Sequence, residues 1–267
     1  MKSIRTGNYE LPQTLVMLRE LEEEIEAETG EVFADLVGLS FSYSPEENDY
    51  FSYASAPIDM VLMTFTRVDS YCGFITEFST IDDLENAPIV LFEPLRIGDS
   101  EYSAKIIANN IRDFLRLLIT VKNIFSLDQE DDEKHEEQTA EEGYFYKRIE
   151  ERFDLQPFES VQQYKQKLMQ IRSRDVAIIT KNGIGVKGIS NEDSHGTFEL
   201  NEEWDNLLVE VKRFFESASL ESKLACIRDL QEQVSLEHGL DLLNFLIDEM
   251  TKLGFMNEVR KLSTYTV

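Results

Sequence analysis

Residues 128–142 carry nine carboxylates and one base, Lys134, with no apolar side chain larger than Ala140. Such a stretch buries too little apolar surface to offset the entropy of ordering it. It is therefore read as a solvated linker spanning 127–143. That reading divides the chain into residues 1–126 and 144–267, each long enough for a core of its own. The acidity runs through both parts, with 22 acids and 9 bases in 1–126 and 30 acids and 17 bases in the remainder. The whole carries 52 Asp+Glu against 26 Lys+Arg, a formal charge of −26. A field of that sign repels nucleic acid and anionic membranes and draws in basic proteins.

The first part opens with a helical pattern. Leu11, Leu15, Leu18, Leu21 and Ile25 form one apolar stripe behind Pro12, and Thr29-Gly30 supplies a stop. Seven glutamates (Glu20, Glu22, Glu23, Glu24, Glu26, Glu28 and Glu31) fall within residues 20–31. They are read as a solvated face. Strand-like runs follow at Leu36–Tyr43, Val61–Phe65, Tyr71–Phe78 and Ile89–Phe92, separated by turn residues. A second helix is expected from Ser103 to Phe125, with Ile107, Ile111, Phe114, Leu115 and Leu118 on one face. Helix, strands and helix in that order predict an α+β unit whose sheet is mostly antiparallel.

The second part is expected to be mainly helical with one hairpin. Ser160 and Gln163 match a capping box before Val161, Tyr164, Leu168 and Ile171. Asn182-Gly183 between two apolar runs signals a hairpin near 176–189. Trp204, Leu207, Leu208, Val211, Phe214, Phe215 and Ala218 have helical spacing, with Asn201 as cap. Leu220–Val234 and Leu240–Leu253 give two more helices, and Val259 and Leu262 a short last one.

Reactive groupings are scarce. The histidines are His135, His195 and His238. Asp193-Ser194-His195 has the residue types of a catalytic triad, but triad members come from separate elements. Cys72 and Cys226 lie far apart without metal-type spacing and are read as buried free thiols of a reducing cytoplasm. Phosphate-binding glycine motifs are missing, because Gly183-Ile184-Gly185-Val186-Lys187-Gly188 has the wrong spacing. No cofactor and no metal are expected. Arg172-Ser173-Arg174 and Lys212-Arg213 are too isolated to hold nucleic acid. Met1-Lys2-Ser3-Ile4-Arg5 is not followed by the apolar core of a secretory signal. No run approaches the roughly 18 apolar residues of a membrane span.

Residues 61–118 resemble the SUKH superfamily, which holds fungal cell-wall assembly regulators and bacterial immunity proteins. The resemblance rests on Tyr71-Cys72-Gly73-Phe74-Ile75-Thr76-Glu77-Phe78, on Asp83-Leu84-Glu85-Asn86-Ala87-Pro88-Ile89-Val90 followed by Glu93-Pro94, and on Ile107-Ala108-Asn109-Asn110-Ile111-Arg112-Asp113-Phe114-Leu115. Where many members carry an Asn-Gly-Gly-like turn after the first helix, this chain has Thr29-Gly30. The resemblance implies a SUKH-like α+β domain over 1–126 and a non-catalytic antidote that binds and neutralises a basic, nuclease-like polymorphic toxin. An acidic antidote would be steered to such a partner.

Loop position nominates Glu46, Glu47, Asp49, Tyr50, Asp82, Asp83 and Glu85 as partner-binding residues. Two alternatives stand beside this reading. One is a regulatory scaffold that binds cellular proteins through the linker or the helical part. The other is a hydrolase with a carboxylate site the sequence does not reveal.

Overall fold

A computed structural model describes residues 5–6, 9–43, 55–66, 69–96, 102–122, 140–190, 194–200, 206–234, 236 and 239–266. A short pairing joins β1 (Arg5–Thr6) to β2 (Tyr9–Glu10). Helix α1 (Gln13–Thr29) follows Pro12 and buries Leu15, Leu18, Leu21 and Ile25, the stripe their spacing predicts. Gly30 closes it at φ 76° with its N–H on the Glu26 carbonyl, a left-handed cap that glycine adopts without a Cβ clash.

The stretch expected to be one strand from Leu36 is divided. A single helical turn, α2 (Phe33–Val37), ends at Gly38, and β3 (Leu39–Phe41) begins directly after it. Three strands follow in sequence: β4 (Met60–Thr66), β5 (Tyr71–Ile75) and β6 (Ile89–Phe92). The fifth strand, β7 (Ala104–Ala108), occupies residues that the sequence reading gave to a helix. Asn110 accounts for the difference. Its side-chain oxygen accepts the Asp113 N–H at 2.8 Å and starts helix α3 (Ile111–Val121) there. The residues before it pair with β6. The sheet is an antiparallel meander in chain order, β3-β4-β5-β6-β7.

Helix α4 (Ala140–Phe153) starts inside the segment read as linker. After it come α5 (Val161–Asp175), the hairpin strands β8 (Val176–Ile178) and β9 (Val186–Lys187), α6 (Leu207–Ser217), α7 (Leu220–Gln233), α8 (Leu240–Leu253) and α9 (Met256–Ser263). Ser160 caps α5 through a 3.2 Å bond from the Gln163 N–H, as the capping box predicts. Ile171 is exposed, although the stripe had placed it inward, and Lys165 is buried on that helix instead. In the hairpin turn the Asn182 side-chain oxygen accepts the Ile184 N–H at 3.1 Å, and Gly183 takes φ 89°. The predicted cap Asn201 and Trp204 lie outside the described residues.

Three apolar cores hold these elements. One face of the sheet, with Met63, Cys72, Phe74, Ile89 and Ile107, packs under α1, α2 and α3. Phe145, Ile149 and Phe153 of α4 belong to this same core, and the Phe145 and Phe33 rings meet edge to face at 4.0 Å. The opposite face, with Met60, Leu62, Ile75, Val90 and Phe92, receives Ile184 from the hairpin. The third core gathers α6 to α9 and takes in Ile58 and Phe78 from the loops beside β4 and β5. Gly73 lies beside a register shift between Leu62 and Thr64, and a Cβ there would stand 2.6 Å from the Met60 side chain and 2.7 Å from the Val61 carbonyl oxygen. Only glycine permits that approach.

Candidate functional site

The sheet and the helical region meet at the turn after β5. Glu77, Phe78 and Ser79 all have positive φ, at 50°, 53° and 59°. Left-handed backbone costs a non-glycine residue about 1–2 kcal/mol, so three in a row persist only where the surroundings hold them. Each of the three is held. Arg172 of α5 pairs with Glu77, and its guanidinium also donates to the Ile184 carbonyl at 3.0 Å and the Gly185 carbonyl at 2.9 Å. The Phe78 ring lies beneath the Arg228 guanidinium at 4.7 Å, and its N–H donates to the Asp59 carboxylate at 3.2 Å. The Ser79 hydroxyl donates to Glu258 at 2.9 Å.

Asp59 and Arg228 form the centre of this junction, with both side chains fully enclosed. Arg228 donates to Asp59 through Nε at 3.2 Å and Nη2 at 2.6 Å, and through Nη1 to the Gly185 carbonyl. Burial pushes the Glu258 carboxyl up to about 7. Burial also pulls the Lys261 ammonium down to about 8, where it donates to the Pro57 carbonyl at 2.9 Å and the Met60 carbonyl at 3.2 Å.

The carboxylates of α1 turn outward. Glu20, Glu23, Glu24, Glu26 and Glu28 are exposed on the helix, as is Glu31 just past its cap. Glu24 and Glu28 are shared with α4: Arg148 pairs with both, and Arg152 pairs with Glu24. Half-buried Glu22 is pushed up to about 7 by burial beside Tyr43.

Of the loop residues nominated from sequence, Glu46, Glu47, Asp49 and Tyr50 lie outside the described residues. Asp82 and Asp83 are exposed. Asp83 also caps the 3-10 turn Leu84–Asn86, accepting the Glu85 N–H at 3.1 Å. Glu85 accepts the Thr14 N–H at 3.0 Å and the Thr14 hydroxyl as well. It therefore ties this loop to the start of α1, satisfying an N–H that the helix itself leaves open. Sequence spacing gave no sign of that contact across 71 residues.

His195 contacts Ser219 rather than its sequence neighbours. Its Nδ1 lies 2.9 Å from the Ser219 hydroxyl and 3.7 Å from Glu221. The residue types are those of a triad, but both contacts use the same ring nitrogen, so the imidazole does not bridge acid and hydroxyl. The Ser219 oxygen is the cap of α7, accepting the Ser222 N–H at 3.2 Å. Burial works against the Glu221 charge, yet hydrogen bonds from Ser190 and Ile189 hold its carboxyl below the usual range. Asp193 lies outside the described residues. Among the described residues no three His, Cys, Asp or Glu side chains converge as metal ligands, and no helix is long and apolar enough to cross a membrane. Cys72 and Cys226 are both buried free thiols.

No protein-family model matches the chain, and no match is found among curated proteins.

Proposed function

We propose that this chain is a cytoplasmic, non-catalytic binding protein, an antidote of SUKH type that occludes a basic, nuclease-like toxin. The observation that carries the reading is the set of carboxylates that α1 and the residue after its cap leave in solvent. Glu20, Glu23, Glu26 and Glu31 face solvent, on a chain whose formal charge is −26. A surface so arranged attracts a cationic partner at long range and fixes its orientation. Asp82 and Asp83 are further exposed candidates, in the loop that Glu85 ties to the start of α1. Glu46, Glu47, Asp49 and Tyr50, outside the described residues, are included from their loop position in the sequence.

The test is co-expression with the product of the neighbouring gene. Restored growth and a complex that dissociates as salt is raised are the expected results. If the wild-type chain neither rescues growth nor co-purifies with that product, the antidote reading fails.

A further inference from the structure

A cleft of about 630 Å³ lies between the outer edge of β7, one face of α5 and the β8–β9 hairpin. Its volume falls within the roughly 300–1,000 Å³ typical of small-molecule sites. Ten of the 17 described lining residues are aliphatic, methionine included. The Tyr102 ring packs on the hairpin turn, where a Cβ on Gly183 would lie 2.5 Å from it. That contact closes the cleft at one end. Apolar side chains stay in water around the mouth, with Ile179 71% exposed and Met169 56%. Apolar surface left exposed around a concavity marks ligand sites.

The polar groups this cleft offers belong to the backbone. Arg172 is committed to Glu77 and to two carbonyls, and Lys105 and Lys165 have partners of their own. An anionic ligand therefore finds no uncommitted cation among them. Strand β7 ends the sheet and pairs with β6. The Glu93 N–H donates to the Ser103 carbonyl at 2.8 Å, and the same register sets Leu91 opposite Lys105, Phe92 opposite Ala104 and Val90 opposite Ile106. Bonded and non-bonded pairs alternate along an antiparallel ladder. Leu91 and Lys105 thus exchange the next bonds, and Ala104 and Ile106 turn their N–H and C=O groups away from β6. Both residues line the cleft, and neither meets a hydrogen-bond partner on that side among the described residues. Backbone donors and acceptors left unmatched beside apolar walls cost free energy that a fitting ligand recovers.

We propose that this cleft binds a small, neutral aliphatic amide at the free edge of β7. Its carbonyl accepts the Ile106 N–H, its own N–H donates to the Ile106 carbonyl, and its alkyl chain lies along Leu168, Met169 and Ile178. The N–H and C=O of one residue in an extended strand point the same way, and a carboxamide presents an acceptor and a donor side by side to match them. The aliphatic lining suits a methylene chain. A free small molecule is favoured over an added peptide strand, which would have to run along β7 past the end that Tyr102 closes.

Calorimetric titration of the full chain with octanamide tests this directly. One saturable site per chain is expected. Methyl octanoate, which only accepts, and octylammonium, which only donates, are expected to bind at least about tenfold more weakly, because each leaves one Ile106 group without a partner. A blocked six-residue peptide of alternating valine and threonine is expected to be weaker by at least about the same factor. In the nitrogen-15-labelled chain, saturating octanamide is expected to move the Ile106 amide proton to lower field and slow its exchange with solvent. The Lys105 amide, which faces β6, is expected to move less. Met169→Glu, at a position 56% exposed, is expected to weaken octanamide by about tenfold while leaving the unfolding midpoint at its wild-type value. The proposal is overturned by any of four results: no saturable uptake of octanamide, equal affinity for methyl octanoate, octylammonium or the peptide, an Ile106 amide unmoved at saturation, or unchanged affinity in the folded Met169→Glu variant.

Discussion

Arg228→Met removes the guanidinium that holds Asp59 at the junction between the sheet and the helical region. Methionine keeps much of the volume and the contact with Phe78, so the change isolates the charge. It leaves a buried carboxylate with the Phe78 N–H at 3.2 Å as its donor and the Gly185 carbonyl without Nη1. Removing one member of a buried pair costs about 3–5 kcal/mol, because the survivor stays desolvated. Against a total stability of about 5–15 kcal/mol, that is a large share. With a urea dependence near about 3 kcal/mol per molar for a chain of this size, the unfolding midpoint falls by about 1–2 M. Asp59→Asn with Arg228→Met removes both members of the pair, and the double variant is expected to be more stable than the sum of the single losses implies by about 1–3 kcal/mol. Urea unfolding of the four proteins, followed by circular dichroism, supplies the cycle. A loss below about 1 kcal/mol for Arg228→Met, or additive single losses, would refute the claim that this pair locks the junction.

Three further outcomes are expected of the same fold. Glu258 titrates near 7 in the folded chain against 4.5 as its ordinary value, so its contribution is present below about 4.5 and lost as pH rises through about 7. Glu258→Gln is thus expected to gain on the wild type by up to about 3 kcal/mol between about pH 5 and pH 8, and a difference that stays flat across that window would contradict the assignment. Gly73→Ala places a Cβ 2.7 Å from the Val61 carbonyl oxygen, which belongs to the backbone and cannot swing away. A destabilisation of about 1–3 kcal/mol in thermal unfolding is expected, and a neutral substitution would show that the strand spacing relaxes. The Cys72 and Cys226 thiols are both pushed up by burial. Ellman's reagent is expected to label neither in the native protein and both in denaturant; prompt native labelling of either would place that thiol at the surface.

Elements with a long local signal were legible from the chain. The stripe of α1, the capping box of α5, the Asn182-Gly183 turn and the helices α7 and α8 all appear where spacing and caps predict them. Short apolar runs were not, since periodicity over five residues does not separate a strand from a helix turn. Ala104–Ala108 read as helix because Ile107 fell in register with α3, and only pairing with β6 decides otherwise. The composition of 128–142 drew attention away from Phe145, Ile149 and Phe153, whose four-residue spacing was the available sign of α4. The junction carried no local signal at all. Asp59 and Arg228 are 169 residues apart, and Thr76-Glu77-Phe78, read as the end of a strand, turns inward as a docking peg. Side chains that the sequence offered as surface acids serve partly as fasteners, as Glu85 does for Thr14, because a carboxylate's partners depend on packing that spacing does not encode.

Calorimetric titration against the neighbouring gene's product, repeated across a range of salt concentrations, tests most directly whether the outward carboxylates of α1 and Glu31 past its cap are the working surface. The comparison is between the wild type and a variant with Glu20, Glu23, Glu26 and Glu31 replaced by glutamine. Affinity that falls with salt in the wild type, and a weaker, flatter dependence in the variant, is the predicted result. Equal affinity and equal salt dependence in the two proteins would place the interface elsewhere on the molecule and contradict the account.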